Sequence, residues 1–513
     1  MSGTRPKRVI RTVPGPAKRR AGDKLSFLEG DLGDQAAFEL FVRQDRLSAW
    51  ITRRASRRST RMLLVDIPLL TRLYAAHIKE VERRYAEILL AAKVDAVVIH
   101  SGSLKIRTEF DDQYWPLRAT PHFQHWVPVS QADCAIIFVP GKKPVLAWTR
   151  ARSFWEKPAR PETQHFVAPF DIQEPDGWES VKALVPTAGR VAFIGEDRSR
   201  AAAWGIDASV INLPELIGPL DRLRTRKTAY EILCLEEANR RAALGHQAVR
   251  EAFLAADRSE LDLHLIFLGA TGQDDPETPY KNIVALGEHA STLHHIDYKK
   301  RPDSRSAESL LVDAGATYQG YCSDITRTWV KGTGATLSAF TGLVNGVEAM
   351  QRRLCAAIRV GAPYEKLHED AHHQVSDILR EVGIVKLSPE ETVAAGISRA
   401  FFPHGLGHSL GLQCHDVGCA LIKPKPENPY LRNTSAIVEA QVFTIEPGIY
   451  FIEDLLAPFR QGEKAKLLDF SLIDALSPLG GVRIEDDLVV LEGGAGKDHV
   501  RNLTREFLPL GGG

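Results

Sequence analysis

The chain is predicted to fold as two domains, an α/β domain of residues 62–220 and a larger α+β domain of residues 221–513, behind a basic extension of residues 1–61. Three observations lead there. A length of 513 residues exceeds what one hydrophobic core usually spans. The first half alternates strand-like apolar runs with helical stretches. The second half sets amphipathic helices between strand-like runs that carry acidic residues, the pattern of a largely antiparallel sheet covered by helices.

The extension holds 15 Lys or Arg against 6 Asp or Glu, leaving 50 against 59 in the remaining chain, so a formal net charge of zero hides a basic extension and a mildly acidic body. Its clusters, Arg5-Pro6-Lys7-Arg8, Lys18-Arg19-Arg20 and Arg53-Arg54-Ala55-Ser56-Arg57-Arg58, lack the interleaved aromatic residues of a nucleic-acid surface. A solvated tail is expected, with neither nucleic acid nor membrane as partner. Met62 is a candidate alternative start, and Asp23 and Glu29 argue against an organelle transit leader.

From Thr71 to Leu90 apolar residues recur at helical spacing, and strand-like runs follow at Ala96–His100, Ala135–Val139 and Val191–Gly195. Leu220–Lys227 reads as a charged connector. Thr228-Ala229-Tyr230-Glu231 then reads as a capping box opening a long helix, which places the domain boundary. Six cysteines, at 134, 234, 322, 355, 414 and 419, show no disulfide-framework spacing. With no long apolar run and no secretory h-region, the cytoplasm is the expected compartment.

The chemistry is carried by Asp313, Asp324, His408, Glu446 and Glu485. Four carboxylates carry four negative charges, which two divalent cations neutralise and which would otherwise repel. An oxygen-rich donor set with one imidazole suits manganese, cobalt or zinc. Asp313 and Asp324 flank a bend at Gly320, so a hairpin would present both together. Arg483 shares a strand face with Glu485 by the two-residue period.

A rival set, His368-Glu369-Asp370-Ala371-His372, matches the zinc-protease pattern His-x-x-x-His with its Glu. It falls within Tyr364–Val382, an amphipathic helix whose solvated face is expected to carry it. Cys414 and Cys419 flank His415 without a second pair at zinc-ribbon spacing and are expected to be small core residues. His122 and His125 lack further ligands nearby in sequence.

His404-Gly405-Leu406-Gly407-His408 through Asp416, Ile445-Glu446-Pro447-Gly448 and Gly480–Asp486 resemble the pita-bread metallopeptidases, and within them the Xaa-Pro dipeptidases, or prolidases. The similarity runs from about Arg72 to the C-terminus and includes Trp126-Val127-Pro128-Val129 and Phe451–Arg460. The resemblance implies a pita-bread catalytic domain and two divalent ions, with manganese the family expectation. Asp313 would hold one ion, His408 and Glu446 the other, with Asp324 and Glu485 bridging. A hydroxide would sit between ions about 3.5 Å apart. Glu446 would also shuttle the proton, and His404 and His415 would donate to the carbonyl or the developing oxyanion.

The resemblance further places His294, Arg432 and Arg483 at the substrate, with Arg432 holding the C-terminal carboxylate of an Xaa-Pro dipeptide. It implies a homodimer whose N-terminal domain caps the partner's site. The alternatives are an Xaa-Pro aminopeptidase acting on longer peptides and a non-catalytic binding module. Three departures from the family pattern touch the expected pocket rim: Gly287 for asparagine, His295 for tyrosine, and Glu439-Ala440-Gln441-Val442 for a Pro-Gly turn.

Overall fold

The expected long first helix forms over Ile67–Ala91 in a computed structural model that describes residues 66–150, 161, 164–302, 307–493 and 499–509. The basic extension and Met62 lie outside the described residues. Asp66 caps the helix by accepting from Leu69 N at 3.3 Å, with Pro68 in the first turn, where its missing N–H costs nothing. The helix packs on a five-stranded sheet ordered Asp171–Gln173, Val145–Ala147, Ala135–Phe138, Ala96–His100, Val191–Ile194. Ala96–His100 runs antiparallel to Ala135–Phe138 and parallel to Val191–Ile194. All five of its residues are buried, as expected for a strand covered on both faces.

The capping box forms. Thr228 Oγ1 accepts from Glu231 N at 3.4 Å, and Glu231 Oε2 accepts from Thr228 N at 2.8 Å, opening the helix Ala229–Ala255. The expected connector is ordered differently. Pro214–Arg224 is a helix, so position 220 lies within it. Its end is held by Arg84, whose Nη1 donates to Leu223 O in the last turn at 2.9 Å and to Arg226 O just beyond the helix at 3.1 Å.

Beyond this helix two antiparallel three-stranded sheets carry the acidic residues. One is ordered Thr326–Val330, Ser309–Asp313, Ile283–Leu286, the other Val442–Ile445, Asp486–Val490, Val500–Asn502. They meet at an antiparallel bridge between Thr326 and Glu485, which sets one sheet's edge against the other. Gln319 (φ 52°) and Gly320 (φ 85°) turn the short hairpin Thr317–Tyr318/Tyr321–Cys322 between the two aspartates. Two successive left-handed residues match the twist of the flanking strands. The helices Ala335–Ala357 and Tyr364–Val382 back the sheets through a core that includes Phe340, Val347, Leu354, Ile378, Phe443 and Ile445.

That packing changes the reading of the His-Glu-x-x-His segment. His368 and His372 are each 2 % exposed, not on a solvated face, and their rings lie 5.7 and 5.2 Å from that of Phe402. Phe402 and His404 follow a short helix, Ile397–Phe401, that crosses this side, so the two imidazoles are covered by the segment leading into the site.

Candidate metal centre

Asp313 ends its strand directly opposite Thr326, and Asp324 sits two residues before Thr326 on the returning chain. The register therefore brings both carboxylates to one place. A Cβ at Gly315 would overlap the Ser323 carbonyl, so only glycine lets the two passes approach this closely. Asp324 N donates to Asp487 Oδ2 at 3.0 Å, which fixes the backbone under its carboxylate.

His408 reaches the same place from a loop stitched to the strand Val442–Ile445. Thr444 N donates to His408 O at 3.0 Å, and His408 N donates to Thr444 Oγ1 at 3.1 Å. A Cβ at Gly407 would overlap both the Thr444 carbonyl and the Tyr364 hydroxyl. The His408 ring has one orientation with a chemical meaning. Nδ1 lies 3.0 Å from the Ser409 carbonyl, to which it must donate, so Nε2 is the nitrogen that faces the carboxylates and would offer its lone pair to a cation once the ring is neutral. Nε2 lies 3.3 Å from Asp324 Oδ2 and 3.4 Å from Glu446 Oε1. Glu485 enters beside Thr326, whose Oγ1 donates to Glu485 Oε2 at 2.6 Å. Donor atoms of Asp324, His408 and Glu485 all lie within 4.8 Å of one another.

The charges show what the centre lacks. Burial, reinforced by neighbouring carboxylates, pushes Glu446 up to about 7 and raises Glu485 well above the usual carboxylate range. Burial raises Asp313 too, although Arg483 opposes it. Asp324 alone is lowered despite burial, by His408 and by hydrogen bonds from Cys414 and Tyr280. Against its own burial, Asp324 and Glu446 push His408 up to about 9. Tyr280 Oη lies 2.6 Å from Asp313 Oδ1 and 2.5 Å from Asp324 Oδ1, yet a phenol has a single proton for two acceptors. These donors hold more negative charge than His408 and Arg483 offset. The set fits divalent cations, with the five expected residues as ligands.

Around the carboxylates the expected substrate residues fall into two groups. Arg483 is already engaged. Its Nη2 donates to Asp313 Oδ2 at 2.6 Å, its Nη1 to Tyr450 Oη at 2.8 Å and its Nε to Thr326 Oγ1 at 3.1 Å. His404 is fixed by the same network. Nδ1 donates to the Gly405 carbonyl at 2.8 Å, and Nε2 accepts from Tyr450 Oη at 2.8 Å. Burial and the Arg483 charge push His404 down to about 3, so it is a neutral imidazole. His294, His415 and Arg432 form the open side. His415 packs edge-on to His408 with ring centres 4.4 Å apart, and burial with the His408 and Arg432 charges pushes it down to about 4. Arg432 is exposed, and no ion pair to it is found among the described residues.

Sequence reasoning missed Tyr280, Thr326 and Asp487, which hold the proposed ligands, and Tyr450, which joins Arg483 to His404; none has a diagnostic spacing. It also misread Cys414. The thiol is no core filler, because its Sγ donates to Asp324 Oδ2 at 2.8 Å. The signal was present in its adjacency to His415. Cys419 is buried, 3.8 Å from Gln441 Nε2.

The loop carrying His415 is anchored from below. Asp416 is buried between Arg224 Nη2 at 2.6 Å and Lys227 Nζ at 2.8 Å, which ties the site to the segment joining the two halves of the chain. The departures from the family pattern have local explanations. Gly287 has φ 55°, a conformation asparagine also tolerates. His295 Nε2 lies 2.9 Å from Glu260, a buried carboxylate that also takes His289 Nδ1 at 2.6 Å. Ala440 keeps the turn before the Glu446 strand with φ 62°.

Comparison with known proteins matches residues 233–492 to metallopeptidase family M24 and residues 72–221 to the Xaa-Pro dipeptidase N-terminal domain. The Xaa-Pro dipeptidase of Pseudoalteromonas atlantica is 38% identical over 447 residues, covering 85% of this chain and 99% of its own. That of Marinobacter nauticus is 40% identical over 437 residues, covering 85% and 98%. Among solved structures, zinc-substituted E. coli aminopeptidase P in complex with product shares the fold with TM-score 0.65 at 21% identity, covering 83% of this chain and 94% of its own. Pseudomonas aeruginosa aminopeptidase PepP does so with TM-score 0.64 at 20% identity, covering 85% and 95%.

Proposed function

This chain belongs to metallopeptidase family M24, and from that premise we propose that it is a two-metal dipeptidase hydrolysing Xaa-Pro dipeptides to an amino acid and proline. The observation that carries this reading is the convergence of Asp313, Asp324, His408, Glu446 and Glu485 on one under-neutralised pocket in a chain whose relatives bear that name. Asp313 would hold one cation, His408 and Glu446 the other, with Asp324 and Glu485 shared. When bound, divalent cations supply Lewis-acid polarisation of the scissile carbonyl and acidify the attacking water. The oxygen-rich donor set suits manganese, cobalt or zinc, and manganese is the ion we assign, on the family resemblance.

The chain's own groups do the rest. Glu446, whose carboxylate lies 3.4 Å from His408 Nε2 at the centre, would take a proton from the attacking water and return it to the leaving prolyl nitrogen. That nitrogen has no N–H of its own, so the enzyme must supply the proton. His415, neutral and beside His408, is placed to donate to the oxyanion. His404 would join it as the other tautomer, with its proton moved from Nδ1 to Nε2 and its bonds to Gly405 and Tyr450 given up. Arg483 holds Asp313 and Tyr450 in place, while His294 and the exposed Arg432 would receive the substrate's proline end.

A cytoplasmic homodimer completes the proposal. In its support, the segment Leu104–Trp115 exposes Leu104, Ile106, Phe110, Tyr114 and Trp115, more apolar surface than an unpartnered loop usually shows. No helix among the described residues is long and apolar enough to cross a membrane.

Product analysis with the manganese-loaded protein tests the activity. Gly-Pro and Ala-Pro should be cleaved, chelation should abolish turnover, and Asp324→Asn should lose nearly all of it. Efficient release of alanine from Ala-Pro-Ala would move the assignment to an aminopeptidase. Turnover that survives in Asp324→Asn would remove the two-metal reading.

A further inference from the structure

Cys414 gives this centre a donor that an oxygen-and-imidazole site does not have. Its Sγ lies 2.8 Å from Asp324 Oδ2, the oxygen that His408 Nε2 approaches at 3.3 Å. Donor atoms of His408, Cys414 and His415 all lie within 4.8 Å of one another, so the thiol belongs to a His-Cys-His grouping. That grouping shares His408 with the one formed by Asp324, His408 and Glu485.

The thiol is also held there. Gly411 O accepts from Cys322 N at 2.8 Å, and Asp416 on the other side is clamped by Arg224 and Lys227. The other five cysteines make no hydrogen bond to the proposed ligands among the described residues.

We propose that Cys414 is a conditional metal donor, a spectator thiol when the centre holds a hard cation such as Mn2+ and a thiolate ligand when a thiophilic cation such as Cd2+ or Zn2+ enters. Hard cations prefer oxygen and imidazole, and they leave the S–H bond intact with its hydrogen bond to Asp324. Soft cations gain from sulfur. In that case the S–H bond breaks, the proton leaves to solvent and a sulfur–metal bond forms. Neither sulfur nor metal changes oxidation state. The consequence is an affinity order skewed toward thiophilic ions, so that trace amounts of them would capture the centre from manganese. The inference rests on the two-metal reading above.

The test uses the full-length, metal-depleted protein titrated separately with Mn2+ and Cd2+. Binding is followed by calorimetry, and sulfur ligation by the ultraviolet sulfur-to-cadmium charge-transfer band. Wild type should develop the band at one equivalent per Cys414. Cys414→Ser and Cys414→Val should not, and their preference for Cd2+ over Mn2+ should fall at least about tenfold. Cd2+ binding to the wild type without the band would overturn the role of Cys414 while leaving the centre intact. A band that persists undiminished in both variants would assign it to another cysteine and likewise overturn it. Failure of the wild type to bind either ion would sink the two-metal reading and this inference together. Two variants of different side chain are read against the wild type, so that poor folding of one does not obscure the outcome.

Discussion

Arg432 is the residue on which substrate class turns. Its guanidinium is exposed and without an ion pair among the described residues, yet its charge is felt at His415, beside the proposed scissile bond. A carboxylate bound there would be only partly desolvated. The pair is then worth about 1–3 kcal/mol, between an exposed and a buried ion pair, or roughly 5- to 150-fold. Arg432→Ala should lower kcat/KM for Ala-Pro by that factor, mostly through KM, because the clamp acts in the ground state too. Ala-Pro amide should lose far less, and equal losses for acid and amide would show that Arg432 does not read the carboxylate. The five proposed ligands were legible in the sequence because a carboxylate cluster needs counter-charge wherever it is built. Tyr280 and Tyr450 were not, since a phenol that bonds a carboxylate across 33 residues, or a guanidinium across the same separation, leaves no local pattern. Cys414 was visible but misjudged, because spacing rules for thiolate metals look for pairs and this thiol joins histidines instead.

Helices and strands were read more reliably than the faces they present. Tyr364–Val382 has the bounds its apolar period predicts, but periodicity cannot say that the Phe402 segment will cover a stripe of histidines. The Asp313–Asp324 hairpin was readable because Gly320 marks a left-handed position between apolar runs. The bridge of Thr326 to Glu485, 159 residues apart, was not. Element-level precision is most exposed at Gly407, where the loop bearing His408 touches the strand bearing Glu446. Gly407→Ala must displace the Thr444 carbonyl or the Tyr364 hydroxyl, and overpacking of this kind costs about 1–3 kcal/mol. Both ligands should shift relative to Asp324, so Mn2+ affinity measured by calorimetry should fall together with the thermal midpoint. A variant of native affinity and native midpoint would show that this contact does not position the site.

Across the whole molecule the buried histidines carry a pH dependence that net charge does not reveal. His77, His125, His246, His368 and His372 are all at most 3 % exposed. Burial lowers each of them, His246 to about 3, His368 to about 4 and His372 to about 2, with His77 lowered and His125 well below the usual range. In the unfolded chain they return to about 6.5. Below that value the unfolded state binds protons that the folded state excludes, so stability falls as pH falls, by up to about 1.4 kcal/mol per pH unit for each histidine. Carboxylates held low in the fold, such as Asp416 and Asp486, act in the same direction but only nearer their own lower range. Between about pH 6.5 and about pH 4.5 these histidines pull stability down as pH falls, and they outnumber the raised carboxylates Asp313, Glu446, Glu485 and Asp487, which take up protons in the fold and act in the opposite direction. Urea denaturation of the metal-depleted protein across that window should show a steadily falling midpoint. His372→Met, which keeps an adaptable apolar side chain against Phe402, should flatten the fall by up to one proton's worth. A midpoint independent of pH in the wild type, or an unchanged slope in the variant, would mean that these imidazoles take up protons without unfolding.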